Sequence, residues 1–473
     1  MNELDTAVPA TAVQPSERID SLDILRGIAL LGMFFVHFRG HSIAASTGFA
    51  HGYQRFGQLF LNDRFAGMFG ILFGAGFAMQ MSRAESTAAV ARRSMLRRVL
   101  GVLAFVLAAE AFMRYATGGR FWIMFAILFA TGTVVPWRDP FLRRFSRRVA
   151  ALAVFGVITE VFFGYWVLFE YAIGAIPLVV VRRWSSRALV ALLVISVMSG
   201  GIRATARMTY FTAIGHPERF KAELDSSAAR KQAAWQALRE SGGSPKYRTV
   251  VAGRARQMEG HYTGEGGFTP VVMGIPLFLI GLLAFRLGVF QDPRRNHGLI
   301  IGCMIFGVVS WAASEWLFPI PIQLPAHMWP PLKVVITLAT RFWFFGLIVD
   351  QWLSVTYIGA VLLLVAYKPI WLRRLSAFGI TGRMALTNYV LQVIVLDFTF
   401  SHYALDLKLS AGYAPLAALG LFIVDVALSR WWLSRYHFGP LEWLWRSITY
   451  ARWQPMRRIT VAGNATMVEQ LVG

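Results

Sequence analysis

The chain has 473 residues, 56% of them hydrophobic and only 15% charged, against about a quarter charged in a soluble domain. Its mean hydropathy of +0.51 and its repeated apolar runs exclude a set of soluble domains, because a helix crossing the hydrocarbon needs roughly 20 mostly apolar residues. The net charge of +22 lies in short stretches between those runs, the pattern of cationic loops held against anionic lipid rather than of a nucleic-acid face.

In chain order, residues 1–18 are polar and expected to be disordered. Apolar runs follow at 22–38, 65–82, 98–114, 120–137, 149–164, 166–181 and 187–202. Arg92, Arg93, Arg97 and Arg98 precede the third run. Arg143, Arg144, Arg147 and Arg148 precede the fifth, and Arg182, Arg183 and Arg187 the seventh. Residues 203–266 are polar, with helical character over Ala222–Arg239, and are expected to form a small extramembrane cap. Further runs lie at 267–286, 298–318, 333–350, 352–367, 384–404 and 412–432, and residues 459–473 form a tail.

Charge sets direction. The basic 83–98 loop belongs in the cytoplasm, which puts both termini there and the 39–64 loop outside. The 333–350 run breaks this alternation and carries Lys333, Thr337, Thr340 and Arg341 after a proline-rich stretch. It reads as re-entrant, since irregular insertion is tolerated where it is buried in protein or lines water. The expected fold is therefore all-α: a polytopic transmembrane helical bundle of about 12 spans plus a re-entrant or partial helix. It divides into an N-terminal membrane half (19–202), the polar segment (203–266) and a C-terminal membrane half (267–458).

Several polar residues fall where the surroundings are apolar. Asp23 and Arg26 stand three apart at the start of the first run, an interfacial pair or a basic mouth for phosphate. His37 and His41 lie one turn apart at its other end, as general-base candidates or interfacial histidines. Arg383, Thr387, Asn388 and Gln392 lie at or inside the span from Met384. On a continuous helix Asn388 sits beneath Gln392 and Arg383 beneath Thr387. Polar groups in a membrane normally face a protein interior or a wet cavity.

Arg97-Arg98-Val99 with Glu110 is echoed by Arg147-Arg148-Val149 with Glu160, so Glu110 and Glu160 are buried acids of functional interest. Gly70-Ile71-Leu72-Phe73-Gly74 reads as close helix packing. The single cysteine, Cys303, excludes an intramolecular disulfide, and no metal site is expected. No phosphate loop, nucleophile elbow or zincin motif occurs, so ATPase, serine hydrolase and zinc protease readings have no support.

Four strings carry a resemblance to the YeiB-like family of bacterial membrane proteins, the family of the domain of unknown function 418. They are Leu22 to Gly32 (LDILRGIALLG), Phe69 to Ala78 (FGILFGAGFA), Gly382 to Tyr389 with Gln392, and Gly439 to Arg446 (GPLEWLWR). That family is similar in its N-terminal part to membrane acyltransferases of the heparan glucosaminide N-acetyltransferase type. The resemblance implies a bacterial cytoplasmic-membrane protein that moves an acyl group from cytoplasmic acyl-CoA to a polar acceptor, with a histidine as base. It implies acyl-CoA as co-substrate and no bound cofactor. Relatives carry a histidine late in the third span and an Asp-Gly-Asp-like turn after it, where this chain has Ala108-Ala109-Glu110 and Thr117-Gly118-Gly119-Arg120.

On this reading His37 and His41 are catalytic, and Asp23, Arg26, Arg383, Asn388, Gln392 and Arg341 bind substrate. The partners are the bilayer, acyl-CoA and the acceptor, with homo-oligomers allowed and no nucleic acid. A small-molecule transporter and a non-catalytic membrane scaffold are the alternatives.

Overall fold

The computed structural model describes residues 19–43, 48–85, 140–198, 239–262, 269–317 and 352–458, with isolated helical positions between 121 and 129 and between 222 and 237. The helices are α1 (Asp20–His41), α2 (Gly48–Phe60), α3 (Arg64–Glu85), α4 (Pro140–Phe163) and α5 (Val167–Val181), then α6 (Ser186–Met198). They continue with α7 (Tyr247–Tyr262), α8 (Thr269–Arg286), α9 (His297–Leu317), α10 (Trp352–Tyr367), α11 (Ile370–Arg374), α12 (Ser376–Arg383) and α13 (Ala385–Phe400). The last two are α14 (Ala414–Arg435) and α15 (Pro440–Tyr450). Among the described residues the only paired strands are two-residue pieces, β1 (Ser42–Ile43) and β2 (Leu409–Ser410), which run parallel and tie the loops beyond α1 and α13.

The all-α expectation holds. Among the described residues three segments are long and apolar enough to cross a membrane, Asp20–His41, Gly48–Ser82 and Ala414–Arg435, and a fourth if α12 and α13 count as one broken span. Five shorter apolar helices accompany them. The described residues thus make a membrane protein, with fewer full-length spans than about 12. Residues 98–114 and 333–350, with Glu110 and Arg341, lie outside the described residues.

Helix α1 occupies the centre, with Leu25, Ala29, Leu30 and Phe34 fully buried. Asp20 and Asp23 in its first turn and Arg39 and His41 in its last complement the helix dipole. It crosses α12 at backbone contact: a Cβ at Gly27 would stand 2.0 Å from the Phe378 carbonyl oxygen, and one at Gly382 1.9 Å from that of Asp23. The α3–α8 crossing repeats the device, with Gly74 against the Phe278 carbonyl at 2.1 Å and Gly281 against that of Ile71 at 1.8 Å. Without a hydrophobic force between helices in lipid, such small-residue contacts hold a bundle together.

One expectation is corrected. Arg383 and Thr387 do not share a continuous helix, because the chain bends by 83° between α12 and α13, with Met384 at φ −113°, ψ 29°. The cause lies in α15. Glu442 accepts hydrogen bonds from the Leu386 and Thr387 backbone amides at 2.7 and 3.1 Å and from the Thr387 hydroxyl at 2.5 Å. A helix N-terminus leaves such amides without intrahelical partners, and a carboxylate there also meets the positive end of the dipole. Glu442 therefore lets α13 begin afresh just after α12 ends.

Candidate functional site

A cavity of about 550 Å3 opens between α1, α3, α4, α5, α13 and α15, within the usual range for small-molecule sites. One part of its wall is cationic: Arg26, Arg148, Arg383, Arg446 and Arg458 line it, against the carboxyls of Asp23 and Glu442. Arg26 is paired with Asp23 at 2.9 Å, the acid nearly buried and the arginine a third exposed. Arg148 lies 3.8 Å over the Trp445 ring, while the Trp445 indole donates to the Arg148 carbonyl at 2.8 Å. Arg446 stands 4.5 Å over Phe438. Flat guanidinium groups braced on aromatic faces keep their forked donors aimed without losing charge. Burial pushes the Glu442 carboxyl above its usual range, opposed by its hydrogen bonds with Thr387.

The rest of the wall is apolar, with Met33, Phe69, Leu72, Phe73, Leu152, Leu168 and Leu386, and Tyr171 and Tyr389 stand among these side chains, with Tyr450 also lining the cavity. Asp23 and Met33 both line the cavity, so it extends roughly 15 Å along α1 at the helical rise. Tyr171 donates its hydroxyl to the Ala66 carbonyl at 2.5 Å. The Tyr389 hydroxyl is buried and has no hydrogen-bond partner, and neither does the Gln392 Oε1 one turn away.

Beyond Tyr389 lie the histidines. The His37 ring is 6.4 Å from that of Tyr389 and 4.7 Å from that of Tyr165. The Gln392 amide stands 3.1 Å from His37 Nδ1, so whichever end of that amide faces the ring selects its tautomer. His41 Nε2 meets the Tyr165 hydroxyl at 2.9 Å, and its ring stacks on Phe400 at 4.9 Å. Close by, Asp397 receives Arg254 at 2.5 and 3.2 Å, Ser401 at 2.6 Å and the Tyr403 hydroxyl.

Arg254 comes from α7, within the polar 203–266 segment. That helix packs Met258 and Tyr262 against Val161 and Phe169, bonds the Tyr262 hydroxyl to Glu160 at 3.3 Å and sets His261 3.7 Å from Glu170.

The singled-out residues therefore divide into groups. Asp23, Arg26 and Arg383 line the cavity, and His37, His41 and Gln392 gather at the other end of α1. Asn388 shares a face with Gln392, but its amide is spent within the protein, on the Thr381 carbonyl at 3.3 Å and the Ser429 hydroxyl at 2.9 Å. Glu160 faces α7. Arg148, Arg446, Glu442, Arg254, Tyr165 and Tyr389 were not among the residues expected to act. Only their packing assembles them, although Tyr389, Glu442 and Arg446 stood in the family strings. Among the described residues no group of three or more His, Cys, Asp or Glu side chains is placed to hold a metal ion.

Residues 18–179 match the catalytic domain of heparan-alpha-glucosaminide N-acetyltransferase, and residues 284–452 match a protein family of unknown function, DUF418. The cavity draws on both segments, whereas Arg254 belongs to neither. The uncharacterized protein YxaH of Bacillus subtilis is 24% identical over 95% of this chain and 99% of its own length. An uncharacterized 39.9 kDa protein of Bacillus acidopullulyticus is 29% identical over 39% of this chain and 55% of its own. The uncharacterized protein YeiB of Escherichia coli is 34% identical over 15% of this chain and 19% of its own. No solved structure matches the chain. These matches support a likeness to the YeiB-like DUF418 family, with a distant similarity to the heparan-alpha-glucosaminide N-acetyltransferase type.

Proposed function

We propose that this protein is a membrane acyltransferase that takes an acyl group from acyl-CoA and passes it to a polar acceptor at the far end of α1. The observation that carries this reading is the cavity, cationic over one part of its wall and apolar over the rest. Coenzyme A is a long molecule with phosphates at one end and its thioester at the other. A site for it needs forked cations at the mouth and a narrow apolar path beyond. The match of residues 18–179 to an acetyltransferase catalytic domain supports the same chemistry.

His37 or His41 would take the proton of the attacking hydroxyl or amine as it meets the thioester carbon. The reading is completed by a multi-pass place in the bacterial inner membrane, about 12 spans and cytoplasmic termini, which set the arginine mouth where acyl-CoA is found.

Calorimetry of purified protein with acetyl-CoA tests the donor site. We expect binding that weakens as salt rises, and a dissociation constant about tenfold larger in Arg383→Ala, the loss of one charge-assisted contact. Wild-type protein that neither binds acyl-CoA nor releases free CoA with any acceptor extract overturns the reading.

Transport of a small solute is the second reading. It draws on the 83° break between α12 and α13, since discontinuous helices line the substrate sites of many transporters. Solute flux in proteoliposomes without CoA turnover would favour it.

A further inference from the structure

Buried hydroxyls are almost always hydrogen-bonded, and one that is not calls for a partner absent from the protein itself. Tyr389 is 4% exposed, lines the cavity, and its hydroxyl has no partner. Tyr171, a second tyrosine lining the cavity, is already committed to the Ala66 carbonyl. The orphan hydroxyl therefore cannot be put down to a general shortage of acceptors in this part of the bundle. Tyr389 also stands between the cavity and the histidines, its ring 6.4 Å from that of His37. The Gln392 Oε1 beside His37 is buried and unpartnered as well, so α13 presents two unmet polar atoms one turn apart.

We infer that the Tyr389 hydroxyl is the hydrogen-bond donor to the reacting carbonyl oxygen of the donor thioester, which makes Tyr389 a catalytic residue and marks the point of transfer. The inference rests on the acyl-CoA reading of the cavity. In the step it serves, the acceptor oxygen or nitrogen bonds to the thioester carbon, and the C=O electron pair moves onto oxygen. The resulting oxyanion accepts from Tyr389 O–H. Its collapse restores the C=O bond and breaks the C–S bond, and the leaving thiolate takes up the proton that the acceptor gave to the histidine. A preformed donor in a water-poor site is worth most as charge develops on that oxygen. A phenol needs no reorganisation to supply it.

Tyr389→Phe keeps the ring and removes only the hydroxyl. We expect the variant to bind acetyl-CoA within about twofold of wild type while its CoA release falls about 100-fold, the scale of losing one oxyanion donor. Isotope-edited infrared spectra of acetyl-CoA labelled at the carbonyl carbon give a second readout. The bound band should move to lower wavenumber in wild type and return toward its free position in Tyr389→Phe. Bound donor with the same band in both proteins, or CoA release in the variant within threefold of wild type, overturns the inference alone. Wild-type protein that does not bind acetyl-CoA overturns the donor reading and the inference with it.

Discussion

Asp397 lies within a membrane helix, yet its carboxylate is 3% exposed and receives Arg254, Ser401 and Tyr403. A buried ion pair is neutral or costly against an apolar pair of the same shape, but breaking one side strands a charge and costs about 3–5 kcal/mol. Arg254→Met should therefore lower the thermal midpoint sharply. Arg254→Met combined with Asp397→Leu should be more stable than the sum of the single changes, which a double-mutant cycle in detergent measures. Equal and additive losses would mean that the pair carries no coupling.

Glu442 tests the same logic through pH. Burial holds its folded pKa above the unfolded value of 4.5. The folded state thus binds the proton more tightly, and stability falls as pH rises from the unfolded value through the raised folded one. Glu442→Gln removes this titration, so the stability difference between wild type and variant should depend on pH across that window and level off above it. A difference independent of pH would show that the carboxyl titrates alike in both states.

At the scale of elements, glycines decide where helices cross. Adding a methyl group at Gly27 or Gly382 sets it about 2 Å from a carbonyl oxygen of the partner helix, and backbone cannot yield as a side-chain tip can. Gly382→Ala should cost about 1–3 kcal/mol or more and widen the α1–α12 gap at the cavity mouth. Retained stability with unchanged cysteine crosslinking between α1 and α12 would contradict that.

Such crossings also explain what the sequence disclosed. The apolar periods locate α1, α3, α5, α8, α9, α10 and α14 to within a few residues, because span length and loss of charge are local properties. The Gly70–Gly74 spacing announces its packing for the same reason. The Asp23–Arg26 pair is legible because it lies within one helical turn. The bend at Met384 is not, because its cause, Glu442, comes from a helix 55 residues further on. Arg254 is invisible for the same reason. It sits in a segment that composition marks as polar and nothing more, and its partner is 143 residues away.

Across the whole molecule, charge and aromatic surface gather at one end. Among the described residues seven guanidinium groups stand over aromatic rings: Arg144, Arg148, Arg182, Arg294, Arg374, Arg435 and Arg446. Their helices are linked at that end. Arg148 is bonded to α15, Arg294 to the end of α10, and Arg286 to the loop after α5. The Arg458 backbone amide donates to the Arg435 carbonyl at the foot of α14. Aromatic rings favour the membrane–water interface and arginine the cytoplasmic leaflet, so this end should face the cytoplasm.

The opposite end carries the histidines, α7 and the start of α14. Labelling decides the matter, since Cys303 is the chain's one cysteine and Cys303→Ser leaves a clean background. Tyr413 and Trp453 are 66% and 70% exposed on the two sides of α14 and serve as reporters. In intact spheroplasts a membrane-impermeant maleimide should label Tyr413→Cys at once and Trp453→Cys only after permeabilisation. The reverse order would invert the protein, put the arginine mouth on the face that lacks CoA, and remove the ground for acyl transfer from that donor. Equal labelling of both sites before permeabilisation would mean that α14 does not cross the membrane at all.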